Sequence, residues 1–270
     1  MSSSLVDLAY ASVYFGDTDM AEEVDELEET MNELVHDMRA VCILAVRNPR
    51  EAEAMSSVLQ VVSAIERIAN DAVNIARIVT RQLGSPRQLV ADLSEAEEVS
   101  HRVMVRDRSA MANRRLADLE LPVATGMRIM AIRRDRTWIV DPSGDEILRS
   151  GDVLFLRGSP DGIVRLRELA GAPEWVAPVA SDAVALTDFD RAIDTLVEMK
   201  NLSEVAVGLA YSALVYRDRS LASEVRHLED RLDEMNHRLE LWVLRSAVDG
   251  ADPSPVRGLL HLCAAAEDSG

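Results

Sequence analysis

The sequence predicts an α+β fold, mainly α, in which two antiparallel helical-bundle units flank a small inserted α+β domain. Three observations predict it. Residues 6–36 align without a gap with residues 207–237, so one helical unit occurs twice at an offset of 201 residues. Apolar residues recur every three or four positions in both copies, as in packed helices. Between the copies the apolar spacing changes to two, which is typical of strands.

The first helical unit is assigned to residues 1–84. Asp17 is a predicted N-cap of its second helix, and Pro49 is expected to end that helix. A third helix is predicted from about Arg50 to Gln82, with apolar residues on more than one face, as in an inner bundle helix. The second helix carries one predicted apolar seam, formed by Met20, Val24, Leu27, Met31, Leu34, Met38 and Val41.

Residues 101–172 are predicted to form the inserted domain, between linkers at 85–100 and 173–186. Short strands are expected around residues 103–105, 127–132, 137–140 and 153–158, where apolar runs are bounded by turn residues. Two short helices are expected at Ser109–Leu119 and Pro160–Leu169, the second with Ser159 as its cap.

The second helical unit is assigned to residues 187–270. Its first helix is expected to begin near Thr187, and Asp218 is a predicted N-cap of the next. When the two copies are aligned at the 201-residue offset, the first copy lacks the start of the unit and the second copy lacks its end. We therefore expect a fragment or a shortened homologue of a longer two-unit protein. The predicted seam of this copy is Leu221, Val225, Leu228, Leu232, Met235, Leu239 and Trp242.

The composition is strongly acidic. The chain has 47 Asp and Glu against 29 Lys and Arg, a net charge of −18, and Lys200 is its only lysine. This pattern is typical of halophilic proteins, although a GC-rich genome with an acidic partner-binding face would also produce it. The charge disfavours non-specific nucleic-acid binding. No signal or membrane-spanning segment is evident, so a cytoplasmic protein is expected, with Cys42 and Cys263 as reduced core thiols.

Two residue clusters are candidates for binding. Arg133, Arg134 and Arg136 crowd around a turn between two strands and could bind an anion; alternatively, they pair internally or solvate the turn. Glu66, Asn70 and Asp71 could hold a cation if another helix supplied ligands; alternatively, they form a polar layer between helices. No motif of nucleophilic, metal-hydrolytic or phosphate-loop catalysis occurs, so an enzyme is not expected.

The run Glu66–Ala76, ERIANDAVNIA, resembles the repeated third-helix motif of the PhoU family, the helical-bundle regulators of phosphate transport. The resemblance implies a divalent-metal site at Glu66, Asn70 and Asp71. Asn70 stands where the family motif has its second carboxylate.

The stretches MRIMAIRR (127–134), TWIVDP (137–142) and ILRSGDVLFLRGSPDGIVRLREL (147–169) resemble the TrkA-C (RCK_C) domain of regulators of potassium conductance. That resemblance implies a homodimer that binds a nucleotide, notably a cyclic dinucleotide, or an ion. The implied pocket is lined by Ile132, Arg133, Ile139 and Pro142, beside which Arg134 completes the candidate ligand-binding set.

Together these features predict a non-catalytic, cytosolic, ligand-sensing regulator or subunit of a cation channel or transporter, for potassium or magnesium. The expected partners are a membrane transporter, a second copy and a small anionic ligand, with no nucleic acid. The alternative is a PhoU-type regulator of phosphate transport that acts through helical contacts with other proteins.

Overall fold

The computed structural model describes residues 2–82, 99–174 and 187–248. Within them, three helices precede the sheet region, α1 (Ser2–Phe15), α2 (Thr18–Ala45) and α3 (Pro49–Thr80), and two follow it, α7 (Asp188–Tyr216) and α8 (Arg219–Val248). The sheet region contains β1 (Val99–Met104), α4 (Leu116–Leu119), α5 (Leu121–Thr125), β2 (Met127–Arg134), β3 (Thr137–Val140), β4 (Val153–Gly158) and α6 (Ile163–Ala170).

The chain divides into two compact units, which confirms the predicted fold class. The helices before and after the inserted region belong to one unit, and the sheet region forms the other. Lys200 shows how the two repeat copies meet: its side chain is buried, with Nζ 2.7 Å from Glu204 Oε1 and 5.7 Å from the ring centre of Tyr10. Helix α7 therefore contacts α1.

The predicted helix starts are confirmed. The Asp17 carboxylate accepts a hydrogen bond from the Met20 N–H, and Asp218 does the same for the Leu221 N–H. Thr187 forms a capping box with Asp190, in which each side chain accepts the other residue's backbone N–H.

The prediction for Pro49 is wrong. Helix α2 already ends at Ala45, and Pro49 begins α3, because its fixed φ and missing N–H suit a first helical turn. The Asn48 side chain accepts a hydrogen bond from the Glu51 N–H at 3.2 Å and so stabilises the start of α3.

The first predicted seam is wrong over its second half. Leu34, Met38 and Val41 are exposed, whereas Val35 and Cys42 are buried. A straight helix drifts from a seven-residue repeat, and the buried stripe follows an eleven-residue period instead. The buried residues of the stripe are Met20, Val24, Met31, Val35 and Cys42. Cys42 is a free thiol, and Cys263 lies outside the described residues.

The sheet is four-stranded and antiparallel, in the order β1-β4-β2-β3. Strand β1 begins at Val99, and so includes the last two residues that the sequence assigns to a linker. Gly158 ends β4 in a close approach that only glycine permits, since a Cβ there would lie 2.1 Å from the Gly126 carbonyl oxygen. The inner face, packed on α5 and α6, belongs to a core of Val99, Val103, Val105, Met111, Leu121, Met127, Ile132, Leu148, Leu154, Leu156, Ile163, Leu166 and Ala170.

The four strands lie where the sequence predicts them, but one of the two predicted helices does not form as expected. Pro160–Leu169 is a 3₁₀ turn followed by α6, although Ser159 makes no side-chain capping bond. Ser109–Leu119 is helical only at its end, because Asn113 adopts a left-handed backbone conformation and Arg115 bridges to Ile147. Among the described helices, none combines the length and apolarity needed to span a membrane.

Candidate functional site

A basic cleft lies where β1 and β2 end and β4 begins, beside the segment that follows α6. Met104, Val153 and Arg133 are neighbours across the three strands and lie on its floor. Arg102 lies on the same side of β1 as Met104, because strand side chains alternate between faces. Arg106 lies two residues after the end of β1. The cleft, called here the arginine cleft, has a volume of about 320 Å³ and is lined by Arg102, Val103, Met104, Arg106, Arg133, Val153, Arg167, Ala172 and Pro173.

Arg167 is held in place at the end of α6. Its Nε donates a hydrogen bond to the Pro173 carbonyl at 2.6 Å, and its Nη1 lies 3.3 Å from Nε2 of His101. Burial, and to a smaller extent the neighbouring charge of Arg167, together lower the pKa of His101 to about 4. His101 is therefore neutral at pH 7, a state in which its Nε2 can accept the bond from Arg167.

Arg133 is positioned by aromatic rings on the outer face, the side of the sheet opposite α5 and α6. Its guanidinium carbon lies 5.7 Å from the ring centre of Trp138 and 5.9 Å from that of Phe155, within range of cation–π attraction. The two rings also contact one another, with centres 5.1 Å apart. This packing limits the positions that the Arg133 guanidinium can take on the outer face.

Four arginines thus line one cleft, and the described lining residues include no Asp or Glu. Arginine presents several donors in a planar fork that matches the oxygens of phosphate and carboxylate. The arrangement suits a small ligand that carries more than one negative charge.

Arg134, the other arginine predicted to bind ligand, lies on the inner face and is fully engaged there. Its Nε and Nη2 donate to the two oxygens of Asp152 at 2.9 and 2.8 Å, and its Nη1 donates to Glu146 at 2.9 Å. These bonds raise the pKa of Arg134. Burial alone would raise the pKa of Asp152, but the bonds from Arg134 and from the Arg149 N–H lower it below its usual value.

The structure does not bring the five predicted ligand residues together. Ile132 is buried in the inner core and Ile139 packs against that core, on the same face as Arg134. Pro142 is half-buried beyond the end of β3. Only Arg133 lines the arginine cleft.

Sequence reasoning missed the other three arginines of the cleft. For Arg102 and Arg106 a signal existed, because both are polar residues that alternate with Val103 and Val105, Arg102 within β1 and Arg106 two residues after its end. For Arg167 no local signal exists, since it lies on α6, far along the chain.

The three predicted metal ligands lie in different environments. Glu66 is hydrogen-bonded to Arg39 of α2, Asn70 is exposed, and Asp71 is buried. No group of three or more His, Cys, Asp or Glu side chains in the described part of the chain is placed to hold a metal ion. These residues do not fit the divalent metal that the family motif implies.

The described residues thus form a helical unit interrupted in the sequence by a small sheet domain that carries a basic cleft. The sequence matches the PhoU domain over residues 1–79 and 196–269, more than half of the chain, and the TrkA-C domain over residues 101–171. The chain belongs to the PhoU domain family, with a TrkA-C domain between its two PhoU segments. This domain content supports a regulatory ligand-binding role. No curated protein matches the sequence.

Solved structures similar to the chain include RCK proteins. The RCK_C domain dimer of S. agalactiae BusR in complex with c-di-AMP is 22% identical, over 28% of this chain and 94% of that one, with a TM-score of 0.27. The GsuK RCK domain is 25% identical, over 40% of this chain and 22% of that one (TM-score 0.26). BusR with its busAB-promotor DNA is 17% identical, over 46% and 58% (TM-score 0.27). This chain therefore spans less than two thirds of the last two.

Proposed function

We propose that this protein is a non-catalytic regulator of a cation channel or transporter, with potassium as the first candidate ion. It senses a small phosphate-bearing ligand in its TrkA-C domain. The observation that carries the proposal is that one cleft is lined by four arginines, Arg102, Arg106, Arg133 and Arg167, in a chain whose net charge is −18. The positive side chains of this cleft attract anions locally, although the protein as a whole is negatively charged and attracts cations.

The size and charge of the cleft limit the ligand. A volume of about 320 Å³ is at the lower end of small-molecule sites, so a mononucleotide or one phosphate-bearing half of a dinucleotide fits it better than a larger cofactor. Ligands with at least two negative charges gain most from four guanidinium groups. Cyclic dinucleotides, which the TrkA-C resemblance implies, are therefore natural probes.

Regulation requires that the ligand bind one arrangement of the protein better than another. In this proposal the TrkA-C domain forms a homodimer in the cytoplasm, and ligand binding shifts the equilibrium between two dimer arrangements. The helical unit passes this shift to a membrane transporter. The halophilic origin suggested by the composition and the exclusion of nucleic acid stay predictions.

The test is calorimetric titration of the full chain with cyclic di-AMP, AMP and pyrophosphate at a fixed KCl concentration. The double variant Arg102→Gln/Arg133→Gln should weaken binding of the best probe at least about tenfold, because each lost charged hydrogen bond contributes on the order of 1 kcal/mol. Arg165→Gln is the matched control, since Arg165 pairs with Glu168 on the exposed side of α6. Equal affinity of the double variant and the wild type would contradict the proposal.

A second candidate function is a PhoU-type regulator of phosphate transport, and the observation that favours it is the PhoU match over more than half of the chain. Here the helical unit binds a transporter ATPase or a sensor kinase, and the sheet domain only dimerises. Co-purification from the native host separates the two candidates: a cation transporter supports the first, and a phosphate-transport ATPase supports the second.

A further inference from the structure

The first carboxylate of the PhoU-like motif already has a cation beside it. Nη1 of Arg39, on α2, donates a hydrogen bond to Glu66 Oε1, on α3, at 3.1 Å, and Nη2 of Arg39 binds Oε2 of the same carboxylate. Nη2 also lies 3.3 Å from the Ser63 hydroxyl, one turn before Glu66. Both oxygens of Glu66 are therefore engaged by one guanidinium that links the two helices.

The remaining motif residues do not converge on Glu66. Asn70 follows it by one helical turn but is exposed, and an amide oxygen is neutral. Asp71 is five residues from Glu66, which turns its side chain by about 140° around the helix, and it is 4% exposed. A divalent cation takes roughly six oxygen ligands, so Glu66 alone cannot hold one.

The charge of Arg39 also opposes a metal at this place. A divalent ion bound by Glu66 would lie within a few ångströms of the guanidinium, and like charges repel strongly at that distance. Position 240, the repeat equivalent of Arg39, is Glu, so the cationic side chain is particular to the first copy.

We propose that the Arg39 guanidinium takes the place of a metal ion in the first PhoU-like copy, so that α2 and α3 are joined there by an ion pair and not by a metal. Arg39 is a specificity-determining residue in this view: it keeps the α2–α3 link and excludes divalent cations. The inference is independent of the anion site in the sheet domain.

The test compares melting temperatures of the full chain in Mn²⁺ and in EDTA, at one ionic strength low enough to leave ion pairs unscreened. Wild type should melt at the same temperature in both. Arg39→Gln should lower the melting temperature by about 2 °C in both, as expected for one partly exposed bidentate pair. Arg77→Gln, which removes the same charge from an exposed arginine hydrogen-bonded to Asn74 of its own helix, should leave it unchanged.

Reversal of the pair makes the test sharper. The double variant Arg39→Glu/Glu66→Arg should recover most of the loss seen in Arg39→Glu, because the link is restored in the opposite sense. Calorimetric titration of the wild type with Mn²⁺ covers the case in which the variants do not fold, and no heat of binding is expected. A wild type that loses stability in EDTA, or that binds Mn²⁺ stoichiometrically, would overturn the proposal, as would an Arg39→Gln variant as stable as the wild type.

Discussion

Arg133 and Arg134 are consecutive residues of β2, yet the two faces of the sheet use them for different purposes. On the inner face, Arg134 forms ion pairs with Asp152 and Glu146 and so links β2 to the segment that precedes β4. On the outer face, Arg133 is packed against aromatic rings beside the cleft. Adjacent residues of like charge in a strand therefore lie on opposite faces, and their roles must be assigned one residue at a time.

The largest effect is expected from Arg134→Gln. The substitution leaves the Asp152 carboxylate, which is 1% exposed, without its cation, and breaking such a buried pair costs about 3–5 kcal/mol. Urea unfolding of the full chain, followed by far-ultraviolet circular dichroism and by Trp fluorescence, measures the loss. Arg134→Gln/Asp152→Asn should be more stable than Arg134→Gln alone, because the unpaired charge is gone. A single variant within 1 kcal/mol of the wild type would show that the inner-face network does not stabilise the domain.

The second-largest effect is expected in the pH dependence of the free energy of unfolding. It involves His101, which lies between the core and the cleft. Its pKa is about 4 in the folded protein and about 6.5 when unfolded, so acid protonates the unfolded chain first. The stability contribution of neutral His101 is complete above pH 6.5 and is lost as pH falls from 6.5 to 4. Between pH 7 and pH 5 this amounts to about 2 kcal/mol.

The measurement is the free energy of unfolding at pH 7 and pH 5. The difference between the two should be smaller by about 2 kcal/mol in His101→Gln than in the wild type. His227→Gln is the control, because His227 is exposed and lies 3.9 Å from Glu224. If both variants show the same pH dependence as the wild type, His101 is not the titrating group.

The sequence predicts most of the fold because its signals are local. Alternation identifies the strands, and the caps at Asp17, Thr187 and Asp218 depend on residues three positions away. The helix predicted at Ser109–Leu119 forms only at its end, because a long-range contact decides the structure there. Arg115 forms a β-bridge with Ile147, more than 30 residues along the chain, in place of a helical turn.

The site was predictable only in part, because its geometry depends on contacts between distant residues. Arg133 was found through its charged neighbours, but Arg167 reaches the cleft through the packing of α6, and its partner His101 is 66 residues away. The same limit applies to Arg39 and Glu66, whose pairing depends on the register of α2 against α3, 27 residues apart. No one-dimensional pattern specifies that register.

The smallest effect is expected at Arg136, the third arginine of the cluster, and it completes the comparison of the two faces. Arg136 is exposed in the turn between β2 and β3, after Asp135, and lies outside the lining of the cleft. Arg136→Gln should change the free energy of unfolding by less than about 0.5 kcal/mol, as for other exposed sites. It should also leave the affinity for cyclic di-AMP or pyrophosphate unchanged.

The comparison with Arg133→Gln and Arg134→Gln, in the same unfolding and titration assays, decides what the cluster does. If position is decisive, Arg134→Gln loses stability, Arg133→Gln loses affinity, and Arg136→Gln loses neither. If all three variants lose affinity equally, the cluster attracts anions only through its summed charge, and the convergence of side chains on the cleft is not needed. High salt distinguishes these cases further, because it screens a diffuse field more than a direct hydrogen bond in a cleft.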